Sequence, residues 1–523
     1  MAKGDTAGTP AQPAQPVVPA LSWASCATTA VGAAAGVQCA TAVLPMDYDE
    51  PQGAQVQIAL ARVPATDPAQ RIGSLFFNLG GPGGPAVDYL QAAGAGLLSS
   101  LNTRFDIVAF DPRGVGRSTP SIDCKVDQET QGLLPRPAPT PVTVDAAALV
   151  AHAQHYVDAC LANNGEILRH VSTANVARDL DALRLAVGDQ RLSYIGFSYG
   201  TFLGATYAAL FPGRYRALVL DGPVDPDRWI HDPVSMSATQ LVAFERALGR
   251  FLAACAHDQT ACSGFGASDP STAFDALLAS ADASPIPAPR YTDDPRPVTA
   301  DDIRSVTAQL LYAKQFWGVL AAALAQAAAG DASLIRQIVD MVVFPPNDPR
   351  LDRFFTISGS EQHWPQNVDA YLARGAREWA DQPHFWAQFA YSEIPFALWP
   401  IRDADAYGGP FTVAPSSPTP LVIGTTFDPA TPYSGAVSTV RELGNARLLT
   451  MDGDGHTAFG RNSACIDSAT SSYLTAGTLP APGTVCPQEV PFVAPQLAPS
   501  PAGAASGRVA LPDVLSTEVP GRP

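Results

Sequence analysis

Residues 56–63 alternate apolar and polar side chains, the two-residue period of a strand with one face buried. Four shorter runs, 74–77, 105–110, 192–195 and 217–220, are apolar almost without interruption, as strands covered on both faces are. A different period appears between them. Val176, Leu180, Leu183 and Val187 recur at helical spacing, which predicts a helix starting near Thr173, with Gly188 as its stop. Strand-like runs alternating with helical patterns specify the α/β class, a mostly parallel central sheet flanked by helices.

From about residue 226 to residue 409 the strand signal fades, and stretches rich in Ala, Leu and aromatic residues take over. Strand patterns resume at 420–424 and 446–451, so the helical stretch interrupts one domain rather than following it. The expected organisation is a tail at 1–20, a first core part at 21–225, a helical insertion at 226–409, a second core part at 410–486 and a tail at 487–523. Both tails are rich in Pro and Ala and lack periodicity, so they read as extended.

With 46% hydrophobic residues among 523, the chain can bury one large core or two smaller ones. Its formal charge of −17 repels nucleic acid and anionic membrane surfaces, which excludes polyanion binding. Nowhere does an apolar run reach about 18 residues, and the Ala-rich stretch 318–330 is too short and too weakly apolar to cross a bilayer. The chain opens Met1-Ala2-Lys3-Gly4-Asp5, without the apolar segment of a secretory signal. The cysteines nevertheless point outward. Cys26, Cys39, Cys124, Cys160, Cys255, Cys262, Cys465 and Cys486 form no Cys-x-x-Cys pair and no zinc spacing. Paired with their nearest neighbours they close short loops, as suits an oxidising compartment, so a secreted or cell-envelope enzyme is expected.

Candidate chemistry centres on Gly196-Phe197-Ser198-Tyr199-Gly200, which follows the apolar run 192–195 and precedes a helix-compatible stretch. A serine on a strained strand-to-helix turn leaves no room for side chains two residues before and two after it. Both places are glycine. Upstream, Asn78-Leu79-Gly80-Gly81-Pro82-Gly83-Gly84 fits neither a phosphate-binding loop nor a dinucleotide fingerprint. It suits an oxyanion loop, with the backbone N–H groups of Gly81 and Tyr199 as donors.

Such a serine needs a base, and the base an orienting carboxylate. The run 420–424 leads into a loop carrying Asp428, and the run 446–451 into a loop carrying His456, both on the face where open α/β sheets keep their sites. Asp452 and Asp454, close before His456, read as turn residues.

On these segments, together with the Phe110-Asp111-Pro112-Arg113-Gly114-Val115-Gly116-Arg117-Ser118 turn, Asp221-Gly222 and the stretch 428–433, the chain resembles the tripeptidyl and prolyl aminopeptidase group of secreted α/β-hydrolases. The resemblance implies an α/β-hydrolase fold and casts Ser198 as nucleophile, Asp428 as orienter and His456 as base. It also implies that residues 226–409 form a lid. Two departures stand out: Leu79 occupies a place where relatives often carry histidine or proline, and the lid sequence Thr356-Ile357-Ser358-Gly359-Ser360-Glu361 lacks their cysteine but keeps the acid.

The expected reaction is acyl transfer to Ser198 followed by hydrolysis, calling for no metal or organic cofactor. The substrate is expected to be a peptide with a free N-terminus, its amine bound by a lid acid, Glu361 first among them. A carboxylesterase acting on small or lipid-like acyl esters is the alternative. Trp229, Trp317, Phe354, Phe355, Trp364, Phe385, Trp386 and Trp399 give the insertion aromatic surface, most of it expected to be core.

Overall fold

The computed structural model describes residues 18–26, 36–460, 462–497, 508–509 and 511. Its centre is a sheet of strands β1 (Ala24–Ser25), β2 (Gln38–Pro45), β3 (Gln55–Val63), β4 (Gly73–Asn78), β5 (Phe105–Phe110), β6 (Leu192–Phe197), β7 (Tyr215–Asp221), β8 (Leu421–Phe427), β9 (Arg447–Asp454) and β10 (Val485–Pro487). Their order across the sheet is β1-β2-β3-β5-β4-β6-β7-β8-β9-β10. The β1–β2, β2–β3 and β3–β5 pairs are antiparallel, and every pair from β5–β4 onward is parallel.

The apolar runs become the buried centre because each strand sends alternate side chains to opposite faces. Phe76, Val108, Tyr194 and Leu220 pack on one face against Leu180 and Leu183 of the helix Thr173–Ala186 and Phe202 of the helix Tyr199–Leu210. Leu75, Phe77, Ile107, Ile195 and Val219 pack on the other, with Leu90 and Leu474 among their neighbours.

Between β7 and β8 the chain is helical, with its own apolar core around Phe251, Leu310, Leu320 and Ile335. Sequence punctuation starts its helices. Asp225, Asp232 and Asp269 each precede a proline, and each side chain accepts a backbone N–H from the first turn of the helix that the proline opens. An N-cap followed by proline at the first helical position satisfies one orphan donor and removes another.

The cysteines pair as Cys26–Cys39, Cys124–Cys160, Cys255–Cys262 and Cys465–Cys486, the nearest-neighbour pattern. No helix among the described residues is long and apolar enough to cross a membrane.

Three sequence expectations need correction. The antiparallel strand β2 was not expected, because its sequence QCATAVLP has neither an unbroken run of large apolar residues nor a clear apolar–polar alternation. Asp452 and Asp454 belong to β9 rather than to a turn, and Asp454 is buried against Arg250, with Lys314 3.7 Å away. Finally, the stretch after Cys486 is not simply a tail. Phe492 packs edge-on against Phe251 and Trp317, while Leu497, Val509 and Leu511 also rest on the core of the insertion. Four well-spaced apolar residues suffice to dock a segment whose overall composition reads as a linker. The N-terminal tail lies outside the described residues up to Val17.

Candidate active site

Ser198 sits between β6 and the helix Tyr199–Leu210 with φ 54° and ψ −126°. A side-chain-bearing residue in that region carries about 1–3 kcal/mol of backbone strain, which the surrounding packing must hold. The hold is visible. The Ser198 N–H donates to the Asp221 carbonyl at 2.9 Å, and the Thr201 N–H donates to the Ser198 carbonyl at 2.8 Å. A Cβ on Gly196 would come within 2.2 Å of the Gly200 carbonyl oxygen, and one on Gly200 within 2.8 Å of the Asn78 carbonyl oxygen. Only glycine fits at either place.

Gly80, Gly81 and Gly83 all have positive φ, which turns the loop after β4 back toward the elbow. The Gly80 N–H is tied to Asn78 Oδ1 at 2.9 Å, and Gly81 lines the same cavity as Ser198. Tyr199 opens its helix, so its N–H is among those with no intrahelical partner. The loop is clamped from behind. The buried Asp111 carboxylate accepts the N–H groups of Ala86 at 2.8 Å, Val87 at 2.9 Å and Arg117 at 2.8 Å, while burial pushes its pKa up to about 6. Two residues on, buried Arg113 forms a two-pronged ion pair with buried Asp179, at 2.8 and 2.6 Å.

Past the ends of β8 and β9, His456 Nδ1 lies 2.9 and 3.0 Å from the two carboxylate oxygens of Asp428, both residues buried. Asp428 also accepts the N–H groups of Ala430 and Thr431, each at 2.8 Å, and the Thr431 hydroxyl at 3.0 Å. A carboxylate fixed by that many donors orients the ring and favours Nδ1–H, so Nε2 is the basic nitrogen. Nε2 is buried and has no hydrogen-bond partner among the described residues. The helical insertion reaches into this arrangement. The His456 N–H donates to the Tyr312 carbonyl at 2.6 Å, Ala313 bridges Gly455, and the Tyr312 ring stands edge-on to the imidazole at 5.5 Å.

Above the serine lies a cavity of about 430 Å³, lined by Gly81, Ser198, Tyr312, Ala430 and Thr431 and roofed by residues of the insertion. Of the insertion aromatics singled out from sequence, Trp229, Phe354, Trp364 and Phe385 line it, while Trp317, Phe355, Trp386 and Trp399 do not and are buried. Its carboxylates are Asp225, Asp301 and Glu393. Glu393 is buried against Arg374 and Ser237, and desolvation pushes its pKa up to about 7.

Glu361 is not brought to the cavity, which corrects the expectation that it meets the substrate. It is 1% exposed, and its carboxylate accepts the Thr173 N–H at 2.8 Å, the Thr173 hydroxyl at 3.0 Å and Trp229 Nε1–H at 2.8 Å. Burial pushes its pKa up to about 7. Glu361 lies at the N-terminus of the helix Thr173–Ala186, where a negative charge is favoured, and supports the elbow from behind through Thr173 and Tyr199, whose hydroxyls lie 2.6 Å apart.

A mostly parallel sheet, a serine at a strand-to-helix elbow and a buried His–Asp pair at the ends of later strands define the class: the chain is an α/β-hydrolase, a serine hydrolase. Residues 382–486 match the family model described as TAP-like protein. Serine protease Hip1 of Mycobacterium tuberculosis is 33% identical over 466 residues, 86% of this chain and 87% of its own. Carboxylesterase B of the same organism is 35% identical over 463 residues, 86% of each chain. Tripeptidyl aminopeptidase of Streptomyces coelicolor is 31% identical over 472 residues, 86% of this chain and 83% of its own. The chain belongs to this tripeptidyl aminopeptidase-like family of α/β-hydrolases.

Proposed function

We propose that the protein is an exported exopeptidase that releases short peptides or amino acids from the free N-terminus of a peptide through an acyl-enzyme on Ser198. The observation that carries this reading is the cavity that Ser198 and the helical insertion line together, with the His456–Asp428 pair joined to its wall through Thr431. His456 takes the hydroxyl proton as Ser198 attacks the acyl carbon, and returns it to the leaving amine. Asp428 holds the imidazole, and the N–H groups of Gly81 and Tyr199 receive the oxyanion. Water then releases the acyl group by the same proton path in reverse.

Residues 226–409 act as the lid, contributing much of the cavity's lining, Trp229, Phe244, Tyr312 and Phe385 among it. Of its carboxylates, Asp301 is already paired with Arg304 and Glu393 with Arg374, so Asp225 is the acid that a substrate amine would meet instead of Glu361. Four disulfides support an oxidising compartment.

The test compares kcat/KM on tripeptidyl, aminoacyl and N-acetylated chromogenic amides with that on p-nitrophenyl esters. Acetylation is expected to cost orders of magnitude, because a desolvated carboxylate is then left without its ammonium partner. Turnover of esters alone would assign the protein to the carboxylesterase reading, which the 35% identity to carboxylesterase B also supports. Ser198→Ala is expected to abolish both hydrolysis and labelling by a fluorophosphonate probe while leaving the fold intact.

A further inference from the structure

The turn that follows His456 has an unusual feature: the four backbone N–H groups of residues 457–460 all end on carboxylates, contributed by three separate segments. Thr457 N–H points at Asp428 at 3.4 Å, Ala458 and Phe459 N–H donate to Asp221 at 3.0 and 2.8 Å, and Gly460 N–H donates to Asp467 at 2.7 Å. Asp428 is the orienter assigned above, and Asp467 belongs to the outer helix Ala464–Ala476. Asp221, the last residue of β7, has no role in the reaction as written, yet it is wholly buried.

Asp221 touches both halves of the site. Its carbonyl accepts the Ser198 N–H at 2.9 Å, which fixes the strained residue of the elbow. Its carboxylate fixes the turn two residues after His456. The next residue, Gly222, has φ 65°, and a Cβ there would lie 3.1 Å from His456 Cε1, so the strand end runs directly beside the imidazole. One residue thus sets the separation between nucleophile and base, which otherwise belong to segments 258 positions apart in the chain (456 − 198).

Resting on the assignment of Ser198 and His456 as nucleophile and base, we infer that Asp221 is a positioning residue: it holds the His456 turn against the nucleophile elbow and, as an anion beside the imidazole, supports the base in its protonated state. The charge matters because an imidazolium forms when Ser198 is deprotonated, and a nearby buried carboxylate stabilises it more than one in water would. Among the described residues, several charged groups surround it. His456 and Asp428 are those felt most directly; Asp467 lies beyond the turn, and Arg246, Arg250, Lys314 and Asp454 form the next layer behind β8 and β9. Burial raises the Asp221 pKa to about 7, so its ionisation overlaps the working range of a histidine base.

The experiment is the pH profile of kcat/KM for Asp221→Asn on whichever chromogenic substrate the wild type turns over. The expected result is a fall in kcat of about 10- to 100-fold with KM nearly unchanged, as for a small misplacement of reacting groups, together with a shift of the acid limb to lower pH. Asp221→Glu, which retains the charge, should keep the limb nearer its wild-type position. Asp467→Asn loosens the same turn but carries its charge farther from the ring, so it should leave the limb where it is. An unmoved limb in Asp221→Asn, or equal shifts in Asp221→Asn and Asp467→Asn, would overturn the inference. Should Asp221→Asn not fold, the downfield His456 Nδ1–H resonance of the wild type decides: a titration in two steps supports coupling to a second buried acid, and a single step refutes it. If Ser198→Ala retains hydrolysis, the catalytic assignment fails instead, which separates the two outcomes.

Discussion

At the scale of single residues, four buried carboxylates gather backbone and side-chain donors around the site. Asp111 clamps the glycine-rich loop after β4, Asp221 and Asp428 hold the histidine turn, and Glu361 braces the elbow. Each collects donors that would otherwise be stranded, so each should be costly to truncate. Glu361→Ala leaves the Thr173 and Trp229 N–H groups buried without an acceptor, at about 1–3 kcal/mol per group. Urea unfolding should show that loss. The milder Glu361→Gln should leave the ratio of free-amine to acetylated substrate turnover unchanged, and a collapse of that ratio would return Glu361 to substrate recognition. Gly200→Ala tests the elbow sterically: the added methyl meets Asn78 backbone and side-chain oxygens at 2.8 and 2.9 Å, so loss of fluorophosphonate labelling is expected.

Much of the site is legible at this scale because its signals are local. Gly196, Ser198 and Gly200 constrain one another within five positions, and the Asp428 and His456 loops each follow directly on a recognisable strand run. What escaped the sequence reading is what long-range contact decides. Glu361 looks like one acid among many until the fold brings it to Thr173, 188 positions away, and Asp221, noted in the sequence only as part of the Asp221-Gly222 segment, gains no role until it meets Ala458, 237 positions away. No periodicity encodes either meeting.

At the scale of elements, the parallel strands were readable because burial on both faces leaves unbroken apolar runs. The edge-side strand β2 and the short β10 left no such run. Staples reinforce the joints between elements. The Cys124–Cys160 bridge closes a span of 36 positions that links the segment after β5 to the helix Ala146–Asn164, and removing it should cost about 2–4 kcal/mol, chiefly by freeing the unfolded chain. Comparing Cys124→Ser/Cys160→Ser with the wild type by denaturant midpoint checks this. The Arg113–Asp179 pair is the electrostatic counterpart. Asp179→Asn strands a buried guanidinium and should cost about 3–5 kcal/mol in the same measurement.

At the scale of the whole molecule, the raised carboxyl pKa values have a collective effect on stability. Asp111 at about 6, and Asp221, Glu361 and Glu393 at about 7, hold protons in the folded chain at pH values where the unfolded chain, with carboxyls near 4, has released them. The folded state binds more protons between those limits, so this contribution is fully present below about pH 4 and is lost as pH rises through 6 to 7. Thermal unfolding should therefore give a higher Tm at pH 5 than at pH 8, with a shallower slope in Glu361→Gln. A Tm that climbs over that interval would show that these four groups do not dominate the proton balance.

The contact between the Tyr312 carbonyl and the His456 N–H has an evolutionary corollary. An insertion that merely covers a site can be traded between relatives as a cassette, its sequence free to drift with diet while the chemistry below stays untouched. Here the insertion supplies one of the bonds that seats His456, so it and the sheet must change together. Chimeras that exchange the stretch between β7 and β8 should be inactive unless the donor presents a backbone carbonyl at the same place, and new specificities in this lineage are expected to arise from substitutions along the cavity wall rather than from wholesale exchange of its roof.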